Sequence, residues 1–247
     1  EDIVRFADTV DVELVKPLLD NQIRCNSAIA EEGLRGDWGA NVGRVLLSEF
    51  GSDIKNEARA YAAAASDARM SGCELPVVIV TGSGNQGITA SVPVIRYAKH
   101  IGASDERLYR ALLVSDLVTI HQKTGIGRLS AYCGAVSAGC GAGAGIAYLL
   151  GGDYRAIAHT IVNAVAILSG TICDGAKPSC AAKIASAVEA GILGYYMYVN
   201  DQQFRGGDGI VAKGVENTIR NVGLLASQGM KQTDRVILNI MTGDQCL

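Results

Sequence analysis

Four of the seven cysteines fall between Gly127 and Cys180: Cys133, Cys140, Cys173 and Cys180. Cys173 and Cys180 bracket a polar, turn-rich run, Asp174-Gly175-Ala176-Lys177-Pro178-Ser179. Thiolates are soft ligands that select iron–sulfur clusters, zinc or copper(I). A loop carrying two of them, facing a third, Cys133, at a helix end, has the make-up of a metal or cluster site. A lone cysteine is more often a small buried hydrophobe. Cys140, set among small residues of a Gly/Ala helix, is read that way, and the isolated Cys25, Cys73 and Cys246 are taken as structural or incidental.

Two further groups carry chemistry. Thr81-Gly82-Ser83-Gly84-Asn85-Gln86-Gly87 is a polar glycine loop ahead of a helical pattern. Such a loop presents backbone N–H groups to an anion. It is neither a Walker A loop nor a GxGxxG fingerprint. It suits a phosphate, as in pyridoxal-phosphate enzymes, or a substrate carboxylate, or it is a tight turn that lets helices approach. His121 and Lys123 sit where a helix gives way to KTGIGR, ten positions before Cys133. A desolvated Lys or His accepts protons; the alternative is a solvated helix end, where the dipole favours cations. His159 reads as a satisfied core histidine.

The elements that must position these groups are nearly all helices. Val4 to Leu19 reads as two short helices about Pro17, and Asn21 to Leu34 as a third. Val42 to Phe50 is a short amphipathic helix ended by Gly51. Asp53 to Met70 is rich in strong helix formers, with Asp53 as its N-cap. Pro76 to Val80 is β-branched and is expected to form a short buried strand. Helices follow over Ile88 to His100, with Pro93 near its start, and over Asp105 to Gln122, capped by Ser104. Ala142 to Leu150 and Asp153 to Ser169 form a helical hairpin turning at Gly151-Gly152. Cys180 to Val199 is apolar and ends in a tyrosine cluster; Gly209 to Gln228 and Thr233 to Met241 complete the chain. The expected fold class is all-α, mainly helical, with Gly- and Ala-rich packing and at most the one short strand near 77–80.

Composition narrows the function. The 247 residues suffice for a sizeable core, and no linker or repeat divides them. With 22 basic and 25 acidic residues the net charge is −3. No basic stripe with interleaved aromatics appears, so nucleic acid is excluded as a partner. Seven cysteines without a disulfide-type spacing or a signal peptide point to a reducing, cytoplasmic setting. Leu129 to Gly152 carries no charge over a length that could span a bilayer. Its many glycines and unmarked flanks favour a buried core helix, so no membrane partner is expected.

The runs VIVTGSGNQGITASVPVI, KTGIGRLSAYCGAVSAGCGAGAGIAYLLGG and TICDGAKPSCAAKIA resemble the iron–sulfur L-serine dehydratase alpha-chain superfamily. Within it, the likeness is to the L-cysteine desulfidase branch, many of whose members are known only as conserved proteins. The resemblance covers roughly residues 10 to 241, and CDGAKPSC is its specific motif. It implies an all-α catalytic domain whose [4Fe–4S] cluster is held by Cys133, Cys173 and Cys180, with one iron open to substrate. It also implies a substrate pocket lined by Thr81, Ser83, Gly84, Asn85, Gln86 and Gly87. Two features depart from the family pattern. Gly134, Ala135 and Val136 follow the first ligand where the serine dehydratases have Gln-Gly-Glu. The desulfidases' N-terminal Gly-Cys-Thr-Glu-Pro motif is absent, so residues 1–247 are expected to form one catalytic domain lacking an N-terminal portion.

The implied reaction is β-elimination from a small L-amino acid. L-Cysteine would give pyruvate, ammonia and sulfide; L-serine would give pyruvate and ammonia. Lys123 is the expected base, with His121 behind it, and a homodimer is compatible with the resemblance. The rival readings are a pyridoxal-phosphate lyase with Lys123 as Schiff base, a non-catalytic zinc or structural helical module, and a helical membrane protein.

Overall fold

Helix α7 (Gly134–Leu149) lies at the centre of the molecule, and all its residues but Tyr148 are buried. A helix buried all round must be apolar or small all round, and this one alternates glycine and alanine. It packs against α5 (Gly84–Ile101), α6 (Asp105–Ile126), α8 (Tyr154–Leu168) and α9 (Cys180–Val199). The approach to α9 is close. A Cβ on Gly143 would lie 2.7 Å from the Cα of Gly191, and one on Gly139 would overlap the carbonyl of Ala187.

The chain is described here by a computed structural model covering residues 1–243; Cys246 lies outside the described residues. Outside the central group, α2 (Val12–Arg35) and α4 (Ile54–Met70) pack on each other and flank α5 and α9 respectively. Short α1 (Asp2–Thr9) rests on α6, and α3 (Val42–Phe50) on α4. Helix α10 (Val215–Leu224) continues through a π-helical turn (Leu225–Gly229) to α11 (Lys231–Thr242). Eleven α-helices and no sheet are found among the described residues, and the fold is all-α. No helix among them is long and apolar enough to cross a membrane.

Local chemistry explains several helix ends. The carboxylates of Asp53 and Asp153 accept from the N–H groups of Asn56 and Ala156, each at 2.9 Å. The Ser104 hydroxyl accepts from Arg107 N–H at 3.3 Å. Such caps satisfy donors that the first helical turn cannot. Helix α3 is capped differently. Its own N-cap, Asn41, is left-handed and makes no side-chain cap, and the Asp67 carboxylate of α4 accepts from Gly43 N–H at 3.1 Å instead.

Asp67 is fully buried, and burial raises its pKa to about 6. A carboxyl whose folded pKa is raised contributes stability that is present below its unfolded pKa near 4 and is lost as pH rises through 6. The stability of Asp67→Asn relative to the native chain is therefore expected to improve between pH 4 and 7. Urea denaturation across that range measures it; a difference independent of pH would show that the carboxyl ionises freely.

The structure corrects four expectations. Helix α2 runs unbroken through Pro17, because Pro17 and Glu13, whose carbonyl it leaves unbonded, both lie on the exposed face. The buried stripe Leu19, Gln22, Asn26, Ile29 and Gly33 holds the helix together. Residues 77–80 are extended but form no strand; Val80 makes only an isolated bridge to Ser83. The pairing partner is a side chain: Asn26 accepts from Val78 N–H at 2.8 Å and donates to Val78 C=O at 3.3 Å. Helix α5 begins at Gly84, so half of the predicted glycine loop is its first turn and Pro93 is mid-helix. Helix α6 extends to Ile126, which places His121 and Lys123 inside it rather than in a break.

Candidate active site

A backbone crossing brings two of the thiols together. Cys133 N–H donates to Thr171 C=O at 3.1 Å, and Cys173 N–H to Ala131 C=O at 2.6 Å. Tyr132 and Ile172 form an antiparallel bridge between them. Cys133 is the N-cap of α7 and Cys173 follows the end of α8, so the α7–α8 hairpin returns the chain beside its start. The chain then turns at Gly175, whose φ of +95° is a conformation glycine adopts readily. Cys180 opens α9 and accepts from Lys177 N–H at 3.5 Å.

Cys133, Cys173 and Cys180 line one cavity of about 300 Å³. Facing them are Ser83, Asn85 and Gln86 at the start of α5, with Arg69 from the end of α4 and Lys183 from the first turn of α9. Of the other loop residues, Thr81 bonds through its hydroxyl to the Gln86 side chain. Gly84 and Gly87 give room behind the wall: a Cβ at Gly87 would overlap the Val78 carbonyl, and one at Gly84 the Arg69 guanidinium. Thr81 itself has φ +51°, rare for a β-branched residue; backbone outliers of this kind cluster at functional sites.

The cavity wall is cationic. No Asp or Glu lines it among the described residues. Asp174, outside the lining, receives both Lys177 and Lys183, which pull its pKa down to about 2. Lys183 also donates to Ile172 C=O at 3.1 Å. Burial opposes its charge, but Asp174 and the nearby Cys133 and Cys180 thiols together raise its pKa. Burial raises the pKa of Cys133, and the positive charge of Lys183 works against that rise. Lys123 does not line the cavity but lies within electrostatic reach of Cys173 and Cys133; burial lowers its pKa. His121 is elsewhere: its Nε2 is 2.8 Å from a Glu216 carboxylate oxygen, on an exposed stretch of α6 and α10. Cys140 is wholly buried in α7, where burial pushes its thiol up to about 12.

Among the described residues, no group of three or more His, Cys, Asp or Glu side chains closes on a point as one bound ion requires. The three thiols are instead disposed around a space.

Arg69 and Lys183 are the cavity residues that sequence reasoning missed. Lys183 had a signal, since it follows Cys180 by three positions on a helix and so shares its face. Arg69 had none: it sits at the far end of an alanine-rich helix and reaches the cavity only because α4 packs on α5. His159 stacks on Tyr198 and is half-buried rather than a core residue, away from the thiols.

Comparison with known proteins places these features. A UPF0597 protein of Desulfitobacterium hafniense is 68% identical over 244 residues, 99% of this chain and 56% of its own length. Similar proteins of Lachnoclostridium phytofermentans and Finegoldia magna, also named UPF0597, are 55% and 53% identical over 97% and 98% of this chain. The chain thus spans 56–58% of the length of these three relatives. No solved structure matches it. The serine dehydratase alpha chain family matches residues 1–239, and the chain belongs to that family.

Proposed function

We propose that the thiol cavity is the catalytic site of a β-elimination lyase acting on a small L-amino acid, L-cysteine or L-serine. One observation carries the reading: three thiols, Arg69 and the uncapped start of α5 share the wall of a single cavity. Cys133, Cys173 and Cys180 would hold a [4Fe–4S] cluster. The donor set fits it, since thiolates are the ligands such a cluster takes and the charge of Lys183 would offset its negative charge. Held by three protein ligands, such a cluster would supply Lewis acidity toward the leaving sulfur or oxygen.

The remaining work falls to the chain's own groups. The first-turn N–H groups of α5 have no intrahelical acceptor, and Ser83 makes no side-chain cap. They and the Arg69 guanidinium suit the substrate carboxylate. Arg69 is steadied by a 3.2 Å bond to Asn85 Oδ1, and Gln86 by Thr81. Lys123, whose ammonium is disfavoured by burial and which does not line the cavity, would accept the α-proton by way of a bridging water. Lys183, held charged by Asp174, would stabilise the departing sulfide or hydroxide. Loss of the leaving group yields aminoacrylate, which tautomerises and hydrolyses to pyruvate and ammonia.

The test is anaerobic reconstitution with iron and sulfide, followed by assay of pyruvate and sulfide from each amino acid. Cluster absorption with matching iron and sulfide counts is expected, and Arg69→Gln should raise KM by about tenfold or more with iron content unchanged. A preparation that binds zinc stoichiometrically and no iron, or shows an aldimine absorbance, would overturn the reading.

A further inference from the structure

At the other end of α8 from the thiols, roughly 20 Å along the helix, lies a separate crevice of about 340 Å³. Arg155 and His159 of α8 line one side, and Arg205 and Lys213 of the loop between α9 and α10 line the other. Its apolar lining includes Val162, Phe204 and Val211.

The charge in this crevice is unbalanced. No Asp or Glu lines it, and among the described residues Arg155, Arg205 and Lys213 make no ion pair. None of the nearby carboxylates pairs with these three cations. Asp208 accepts from Arg205 N–H at 2.6 Å, Asp153 caps α8, and Glu216 pairs with His121. Helix α10 also opens here. Its N-cap is Gly214, which has no side chain to cap the first turn, so those N–H groups remain free for an acceptor.

The crevice has a fixed wall. Buried Asn163 accepts from Phe204 N–H at 3.0 Å and donates to Gly194 C=O at 3.0 Å, tying the loop to α8 and α9. The two arms of the loop touch at Gly206, where a Cβ would lie 2.9 Å from the Lys213 nitrogen. His159 is held by stacking on Tyr198, with ring centroids 5.1 Å apart. Burial and the neighbouring Arg155 lower the His159 pKa, which fits a strongly positive surrounding.

We infer that this crevice is a second ligand site, which takes a small organic anion with an apolar body and a carboxylate or phosphate head. The head meets Arg155, Arg205, Lys213 and the start of α10, and the body rests on Val162, Phe204 and Val211. The site is independent of the chemistry at the thiol cavity.

Calorimetric titration of the chain with benzoate, phenyl phosphate, benzamide and inorganic phosphate tests this. Saturable 1:1 binding of benzoate or phenyl phosphate is expected, and the stronger of the two identifies the head group. Arg155→Gln and Arg205→Gln should each weaken it about tenfold or more, while Arg69→Gln, at the thiol cavity, leaves it unchanged. Three results would overturn the proposal: no saturable binding of either anion, undiminished binding in the Arg155→Gln/Arg205→Gln double variant, or loss in Arg69→Gln instead. Benzamide binding as tightly as benzoate would remove the charge requirement, and inorganic phosphate matching phenyl phosphate would remove the apolar body; either result refutes the assignment.

Discussion

Replacing Cys133, Cys173 or Cys180 singly by Ser is expected to reduce reconstituted iron to background and to abolish lyase activity. A hydroxyl is a harder, far less acidic donor than a thiol and does not replace a thiolate at iron. The loss should exceed the 10–100-fold effects typical of residues that only support a ligand. Cys140→Ser is the control. Its side chain is enclosed in α7 and absent from the cavity wall. It should retain full iron content while losing roughly 1–3 kcal/mol of stability, since a buried hydroxyl without a partner is costly. Iron and sulfide analysis with near-ultraviolet absorption separates the outcomes. If the triple variant C133S/C173S/C180S takes up iron as the native chain does, these cysteines are not the ligands and the proposed mechanism falls with them.

Gly191→Ala is expected to destabilise the chain by roughly 3 kcal/mol or more, which lowers Tm by about 10 °C in a protein of this length. The new methyl would overlap the carbonyl oxygen of Gly139 and lie 3.1 Å from the Gly143 nitrogen. Backbone cannot rotate away as a side-chain tip can, so α7 and α9 must separate. Cys133 caps α7 and Cys180 opens α9, so iron uptake should fall together with stability. Gly170→Ala is the comparison, because no atom would lie within 4 Å of its Cβ and its φ is outside the left-handed region. It should be neutral or slightly stabilising. Thermal melts of the two variants side by side give the answer; equal Tm values would mean that the α7–α9 contact is loose.

Where local chemistry governs, residue types alone were sufficient. Helices α3 and α9 begin and end where glycine breaks and apolar patterning put them, at Val42–Phe50 and Cys180–Val199. Helix α4 follows its Asp53 cap and alanine run to Met70. These signals act within one or two turns, so the sequence contains both partners. The all-α class follows from the same source, as does the choice of the three cysteines flanking turns as the chemical candidates.

Other features depend on partners distant in the chain. Whether residues 77–80 become a strand depends on what meets their backbone, and a single amide, Asn26, occupies that place. Helix α2 continues through Pro17 because burial of its far face against α4 and α5 outweighs one lost hydrogen bond. His121 and Lys123 look equivalent in sequence, yet two helical residues differ by about 200° in direction. One faces Glu216 and the other lies near the thiols. Arg69 joins the cavity wall only through packing of α4 on α5, whereas Lys183 follows Cys180 on the same face of α9. The sequence by itself therefore determined the all-α class, the ends of helices such as α3 and α9, and which cysteines stood as candidates for chemistry. Tertiary structure alone decided that Arg69 stands beside those thiols, because its place there is set by distance in space, which residue spacing does not encode.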